Sequence, residues 1–391
     1  MTEPSTRRVV VLHQPDGFAN GQKSRAIKEF LEKHGDTVDL WSTGSLTRLG
    51  TGAVASKLPG ASPSALLGYV LEAVFALCIG RHGKFAKRAV ALSTAGLIKA
   101  RGSLLARRLR GRGYDMVICE SNLDQGFVLQ ERVAGVQILD LPAPYAEELY
   151  HGGHIDESGL KRLRALEKQT YAKADRLTFH WHTYGEYVQA TKYDGPNVFA
   201  LDAAAPVPTT QQRARYAETP RIVFLGYLSG YWVNLPLLEQ LCELYPHIDL
   251  YGGPQPTGPL AKHYKGYSPD VDGRSGKDVL ADYQFGLITI TDDELRQHGF
   301  SSKHLDYISY GLPVLTPAWR RDSVLEPSSV HYTAETFLER LGELAGEQAW
   351  SAKSAAALDT AAKLTWDAAL SPLLDLPRNP VNSDGPSPNR K

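Results

Sequence analysis

The stretch from Phe285 to Pro317 limits the fold of this 391-residue chain more than any other. Phe285-Gly286-Leu287-Ile288-Thr289-Ile290 has the length and β-branched content of a strand buried on both faces, and Pro313-Val314-Leu315-Thr316 is a second such run. Between them, Lys303–Tyr310 carries Leu305 and Ile308 at helical spacing, and Gly311 followed by Pro313 supplies the stop a helix needs. A strand–loop–helix–strand order belongs to a parallel α/β sheet.

The loop that opens this helix, Gly299-Phe300-Ser301-Ser302, offers backbone N–H groups and two hydroxyls where the helix dipole favours an anion. Lys303 adds a full positive charge. Asp306, three residues on, lies on a neighbouring helix face and can accept hydrogen bonds from sugar hydroxyls. Phosphate donors beside a carboxylate suit a nucleotide-sugar site. The competing reading is an ordinary helix start with a serine cap.

HGFSSKHLDYISYGLPV follows, position by position, a known pattern: Glu-Gly-Phe-Gly, four variable residues, Glu, then a helix ending in Gly-Leu-Pro-Val. In this it resembles the donor site of the GT-B glycosyltransferase superfamily. His298 stands where that pattern has its first Glu and Asp306 where it has the second, while Phe300, Gly311 and Pro313 match outright. Ser301-Ser302 ahead of Lys303 is most similar to the membrane-associated glucuronosyltransferase of xanthan assembly and related family 4-like enzymes. The likeness is strongest over His298–Pro317.

The resemblance implies an α/β, GT-B fold: two Rossmann-like domains facing across a cleft, with a C-terminal helix crossing back to the first. It implies a nucleoside-diphosphate sugar as substrate, with no further cofactor and no metal. The donor would be held by Gly226, Tyr227, Phe300, Ser301, Ser302, Lys303 and Asp306. Relatives with a retaining outcome use a Glu where this chain has His298, and an imidazole cannot play an anionic part, although it can donate to a phosphate or a sugar hydroxyl. That departure leans towards inversion.

The length suits two domains, each able to bury a core. Formal charge is zero, so nothing global argues for nucleic acid. Cys78, Cys119 and Cys242 are far apart and lack CxxC or His companions, which reads as buried thiols in a reducing compartment. No long apolar segment follows the first arginines, so a cytoplasmic protein is expected. Residues 65–79 are apolar but short for a membrane span and interrupted by Glu72.

In chain order, Arg8–His13 reads as a buried strand, Pro15–Gly21 as a glycine-containing loop, and Lys23–His34 as a helix. GxGxxG is absent, which argues against a nicotinamide cofactor. Asn20 and Gly21 are candidate acceptor-side residues. The segment 64–112 reads as helical and lopsided: between Ala73 and Tyr114 stand ten Lys or Arg and no Asp or Glu. Such a face suits an anionic membrane surface and a lipid-linked hydroxyl acceptor, at the inner face of the membrane; a solvated helix is the alternative.

The strands Asp115–Glu120 and Val136–Leu141 each carry an acid at or beside the C-terminal edge, where ligands bind in open α/β sheets. Asp140 is the candidate general base, Glu120 its substitute, and His298 the third candidate catalytic residue. Arg176–Trp181 is a further strand, and His180 faces the acceptor side; His180-Trp181-His182 lacks a third metal ligand.

Ala203–Pro220 reads as a linker, Arg221–Leu228 as the first strand of a second sheet, and Ser354–Leu376 as helical. The expected divisions are 1–205 for the acceptor domain, 206–365 for the donor domain, 366–376 for the returning helix and 377–391 for a disordered tail. Three other functions fit the same residues: a sugar-nucleotide epimerase, a non-catalytic nucleotide-sugar binder, and a soluble natural-product glycosyltransferase.

Overall fold

The computed structural model describes residues 6–13, 20–42, 95–96, 98–99, 102–103, 105–120, 123–193, 198–208, 213–267 and 278–376. The chain divides into two compact units, Met1–Asp202 with Leu370–Lys391, and Ala203–Ala369.

The first unit is built on β1 (Arg8–His13), α1 (Asn20–Lys33), β2 (Thr37–Ser42), β3 (Tyr114–Glu120), β4 (Ala134–Leu141), α2 (Tyr145–His151), α3 (Glu157–Tyr171), β5 (Arg176–Phe179), α4 (His182–Thr191) and β6 (Val198–Ala200). Its strands run in the order β2-β1-β3-β4-β5-β6, all parallel. Val9, Val10, Val11 and Leu12 are all fully buried, as expected of a central parallel strand covered on both faces. Each such side chain contributes roughly 1.5–3 kcal/mol relative to exposure.

Register then decides the chemistry of the sheet's C-terminal edge. Glu120 pairs with Asp140, and Asp140 with Thr178, so three polar side chains stand level on three adjacent strands. β1 lies between β2 and β3, so the order reverses there and a crevice opens outside the strand ends.

The second unit comprises β7 (Ile222–Leu225), α5 (Leu235–Leu244), β8 (Ile248–Tyr251), β9 (Tyr264–Gly266), β10 (Phe285–Leu287), α6 (Glu294–Gln297), α7 (Ser302–Ser309), β11 (Val314–Pro317), β12 (Ser329–Tyr332), α8 (Phe337–Glu343), α9 (Glu347–Lys363) and α10 (Trp366–Leu370), whose last residue belongs to the first unit. Its parallel sheet runs β12-β11-β10-β7-β8-β9. A second reversal lies between β10 and β7. α7 packs against β10 through Tyr307, whose ring fills the space a Cβ on Gly286 would take, 2.2 Å away. The Tyr307 hydroxyl accepts from the Leu225 amide at 2.8 Å, fixing α7 to the end of β7.

Several expectations are corrected. Ala203–Pro220 is no free linker: Ala205 N–H donates to Leu364 O at 2.8 Å, and the Gln284 side-chain amide donates to Arg215 O at 2.8 Å, tying the segment to the second unit. The helix expected over 354–376 starts earlier, at Glu347, and breaks after Lys363. Short edge elements such as β9 and β12 carry little alternation and were not expected.

The expected tail, 377–391, and most of the basic segment, 64–94 included, lie outside the described residues. Within the described part, Ala95, Ile98, Ala106 and Leu109 are buried, the first two in a core with Leu123, Ala146 and Leu163. Arg110 pairs with Glu131, and the Arg112 guanidinium lies 4.9 Å over the Trp41 ring. This part of the segment is therefore an amphipathic cover of the first unit. No helix among the described residues is long and apolar enough to cross a membrane.

Candidate functional site

In the second unit the sequence-marked residues gather at the reversal of the sheet. Gly226 follows β7 with φ +155°, and Lys303, second residue of α7, lies against it: a Cβ on Gly226 would stand 1.9 Å from Lys303 Cε and 2.4 Å from its Nζ. Gly252, after β8, approaches as closely from the other side, where a Cβ would stand 1.6 Å from Gly226 O. Glycine at both positions lets the strand ends meet and leaves a bed for the lysine.

The Lys303 ammonium lies 4.9 Å over the Phe224 ring and, among the described residues, has no hydrogen-bond or ion-pair partner. Burial pushes its pKa down to about 8, against the opposing influence of Asp306. A cation half-withdrawn from water, with no ion-pair partner among the described residues, can take up an anion.

Ser301 precedes α7, yet its side chain makes no capping hydrogen bond, so the serine-cap reading finds no support in the geometry. Ser302 is exposed, and Phe300 and Asp306 are half-buried. The loop is pinned from outside by Arg320, 4 % exposed, whose guanidinium donates to Gly299 O at 3.0 Å. His298 caps the C-terminal end of α6 and is half-buried.

Tyr227 is 50 % exposed and stands 6.4 Å from the Trp232 ring. The turn after β7 also holds Tyr231, whose ring meets that of Trp232 at 5.1 Å. Tyr231 is itself covered by Arg296, which donates to its hydroxyl at 2.7 Å.

A separate cavity of about 490 Å³ is lined by Arg321, Arg340, Lys353, His331 and Thr333. Arg321 pairs with Glu326, and Arg340 with Glu343, so most of its positive charge is already met.

In the first unit Asn20 and Gly21 open α1. Glu120, Asp140 and His180 come together at the sheet's C-terminal edge with three residues that carried no sequence signal: Lys23, Ser24 and Thr178. The Lys23 ammonium, 1 % exposed, lies 2.8 Å from Asp140 Oδ2 and donates to Leu201 O at 2.6 Å. Thr178 donates to Asp140 Oδ1 at 2.5 Å, and Ser24 to Glu120. His180 Nε2 faces Asp140 Oδ2 at 3.5 Å and Glu120 Oε1 at 4.0 Å.

Burial alone would raise the Asp140 pKa, but Lys23 and His180 hold it well below the usual carboxylate range. Burial and the Lys23 ammonium lower the His180 pKa against the pull of Asp140, so its imidazole is neutral at pH 7. The His-x-His pair does not converge. His182 opens α4 and turns to Asp202, with Nδ1 to Oδ2 at 3.4 Å.

Lys23 was illegible because it sits at an ordinary position of an amphipathic helix. Only the packing of α1 against the strand ends brings it to Asp140.

No protein-family model and no curated protein sequence matches the chain. Solved structures do. Sucrose-phosphate synthase from Thermosynechococcus elongatus superposes with a TM-score of 0.61 at 11% identity, over 94% of this chain and 98% of that one. The lipopolysaccharide outer core galactosyltransferase WaaB gives 0.59 at 11% identity, over 95% and 98%. An α-glucosyltransferase in complex with UDP and a 13-mer DNA gives 0.54 at 11% identity, over 95% and 99%.

The chain has the GT-B fold. At such identity the likeness speaks for architecture alone. Both polar clusters of this GT-B chain lie at sheet reversals of their own units, where open α/β sheets bind ligands.

Proposed function

We propose that this protein is a glycosyltransferase that holds the diphosphate of a nucleoside-diphosphate sugar at Gly226 and the Ser301–Lys303 loop and moves the sugar to an acceptor hydroxyl. The observation that carries the reading is the Lys303 ammonium, bedded on Gly226 at the N-terminus of α7 and, among the described residues, without a hydrogen-bond or ion-pair partner. As the diphosphate leaves, its growing negative charge meets that ammonium and the α7 amides, already in place before the reaction. Asp306 suits a sugar or ribose hydroxyl. The first unit would supply the acceptor and the group that takes its proton.

The finer reading is polysaccharide or glycolipid assembly at the cytoplasmic membrane face, by an inverting route with no metal. It rests on the basic run Arg81–Arg112 and on His298 in place of a carboxylate. Failure to co-sediment with anionic vesicles would favour a soluble glycosyltransferase.

The test is a melting-shift panel of nucleoside diphosphates and sugar nucleotides on wild type and Lys303→Ala. A ligand at one hundred times its Kd stabilises the wild type by about 2.7 kcal/mol, and the variant should show far less. Equal shifts in the two proteins would refute the anchor. Lys303 also sets a pH dependence. Its pKa in the free protein is about 8, and a bound diphosphate favours the charged form. UDP affinity measured by calorimetry should therefore hold from pH 7 to about 8 and fall as pH rises further, whereas the residual affinity of Lys303→Ala should stay flat.

A further inference from the structure

Six side chains meet at the C-terminal edge of the first sheet, and they are not equivalent. Asp140 and Glu120 are both fully buried. Asp140 receives Lys23 and Thr178, and Glu120 receives Ser24. A carboxylate that is sealed from solvent and neutralised by an ammonium at 2.8 Å has neither the access nor the basicity to take a proton from an acceptor.

His180, 6 % exposed, is the least buried of these three acid–base groups. Its Nε2 faces both carboxylates, so that nitrogen carries the hydrogen, since a lone pair there would be repelled by them. The free lone pair is then on Nδ1. Among the described residues, the charged groups that act on His180 are Lys23 from α1, Glu120 from β3 and Asp140 from β4.

We infer that Lys23 is a positioning residue: by pairing with Asp140 it locks that carboxylate out of proton transfer and leaves His180 as the proton acceptor of the site. The inference rests on the glycosyl-transfer reading only for the origin of the proton. In that reaction the acceptor oxygen bonds to the anomeric carbon and its proton passes to the imidazole. The bond from that carbon to the diphosphate oxygen breaks, and its electron pair leaves with the diphosphate. Asp140 and Glu120 then sit beside the imidazolium and oppose its repulsion by Lys23.

The experiment follows the imidazole C–H resonance of His180 through a pH titration of the full chain, assigned by its loss in His180→Gln. The wild-type midpoint should lie below the ordinary 6.5 of histidine. Lys23→Met removes a repelling cation and should move it up by about one unit; Asp140→Asn removes an attracting anion and should move it down by about as much. A structural role alone would not give opposite shifts. Shifts of the same sign, or none, overturn the inference.

Either single variant strands a buried charge and should melt about 10 °C lower. The double variant Lys23→Met/Asp140→Asn leaves no unpaired charge and should recover most of that loss. It therefore keeps the question open to measurement if a single variant does not fold.

The second readout is UDP release from the UDP-sugar that shifts melting most. His180→Gln should lose on the order of 100-fold or more. The double variant should retain more activity than His180→Gln, with its acid limb intact. A double variant as inactive as His180→Gln would make Asp140 the base and end the inference. If no UDP-sugar is bound or turned over, the glycosyl-transfer reading falls, while the titration still decides the charge arrangement.

Discussion

An Arg7→Leu variant is expected to lose roughly 3–5 kcal/mol of folding stability, a drop of about 10 °C or more in melting midpoint. Arg7 is 1 % exposed, although it stands just ahead of β1. Its guanidinium forms a two-pronged pair with Asp36, Nη2 to Oδ2 at 2.6 Å and Nε to Oδ1 at 3.0 Å. The other nitrogen donates to Leu373 O at 3.4 Å and Leu376 O at 3.3 Å. One side chain thus joins the start of the chain, the α1–β2 turn and the C-terminal segment.

Leucine would leave Asp36 buried without a partner and two carbonyls without a donor, which is why the cost exceeds that of a surface ion pair. Arg7→Leu combined with Asp36→Leu should recover part of the loss. A denaturant series showing less than about 1 kcal/mol for Arg7→Leu would mean the pair is solvated.

Gly226→Ala is expected to weaken nucleoside-diphosphate binding about 10- to 100-fold while the fold survives. Two effects add. At φ +155° alanine is strained, a cost of order 1–3 kcal/mol. The new methyl group would also take the place of Lys303 Cε and Nζ. A lysine stem is flexible, so the structure yields by moving the ammonium off its bed. The consequence appears in binding more than in stability. Calorimetry with UDP on Gly226→Ala and Lys303→Ala separates the causes: if displacement of the lysine dominates, the double variant should bind no worse than Lys303→Ala alone. Unchanged affinity in Gly226→Ala would show that the diphosphate does not lie where Lys303 now rests.

Much of the architecture was written locally. Runs such as Val9–Leu12 and Phe285–Leu287 are apolar on both faces, and the helix stop at Gly311-Leu312-Pro313 is a matter of neighbouring residues; period and backbone chemistry need no tertiary context. For the same reason the Ser301–Lys303 loop could be marked in advance, because a helix N-terminus announces itself in the chain, whereas Gly226 was marked by the resemblance alone.

The helix expected to start at Ser354 begins earlier, at Glu347, because alanine-rich sequence favours helix throughout and marks no start. Ala203–Pro220 misled in the opposite sense. Its proline-rich composition says nothing of the carbonyls and amides that bind it to the second unit.

What the sequence determined by itself is the pair of parallel sheets and the loop-to-helix turn at Gly299–Lys303, since these depend on residues adjacent in the chain. The tertiary structure alone decided how charge is arranged. Lys23 reaches Asp140 across 117 positions, Arg7 reaches Leu376 across 369, and Lys303 is left with no counter-ion among the described residues. Those outcomes follow from strand register and helix packing, which bring distant side chains within bonding distance and exclude the water that would otherwise make their charges independent.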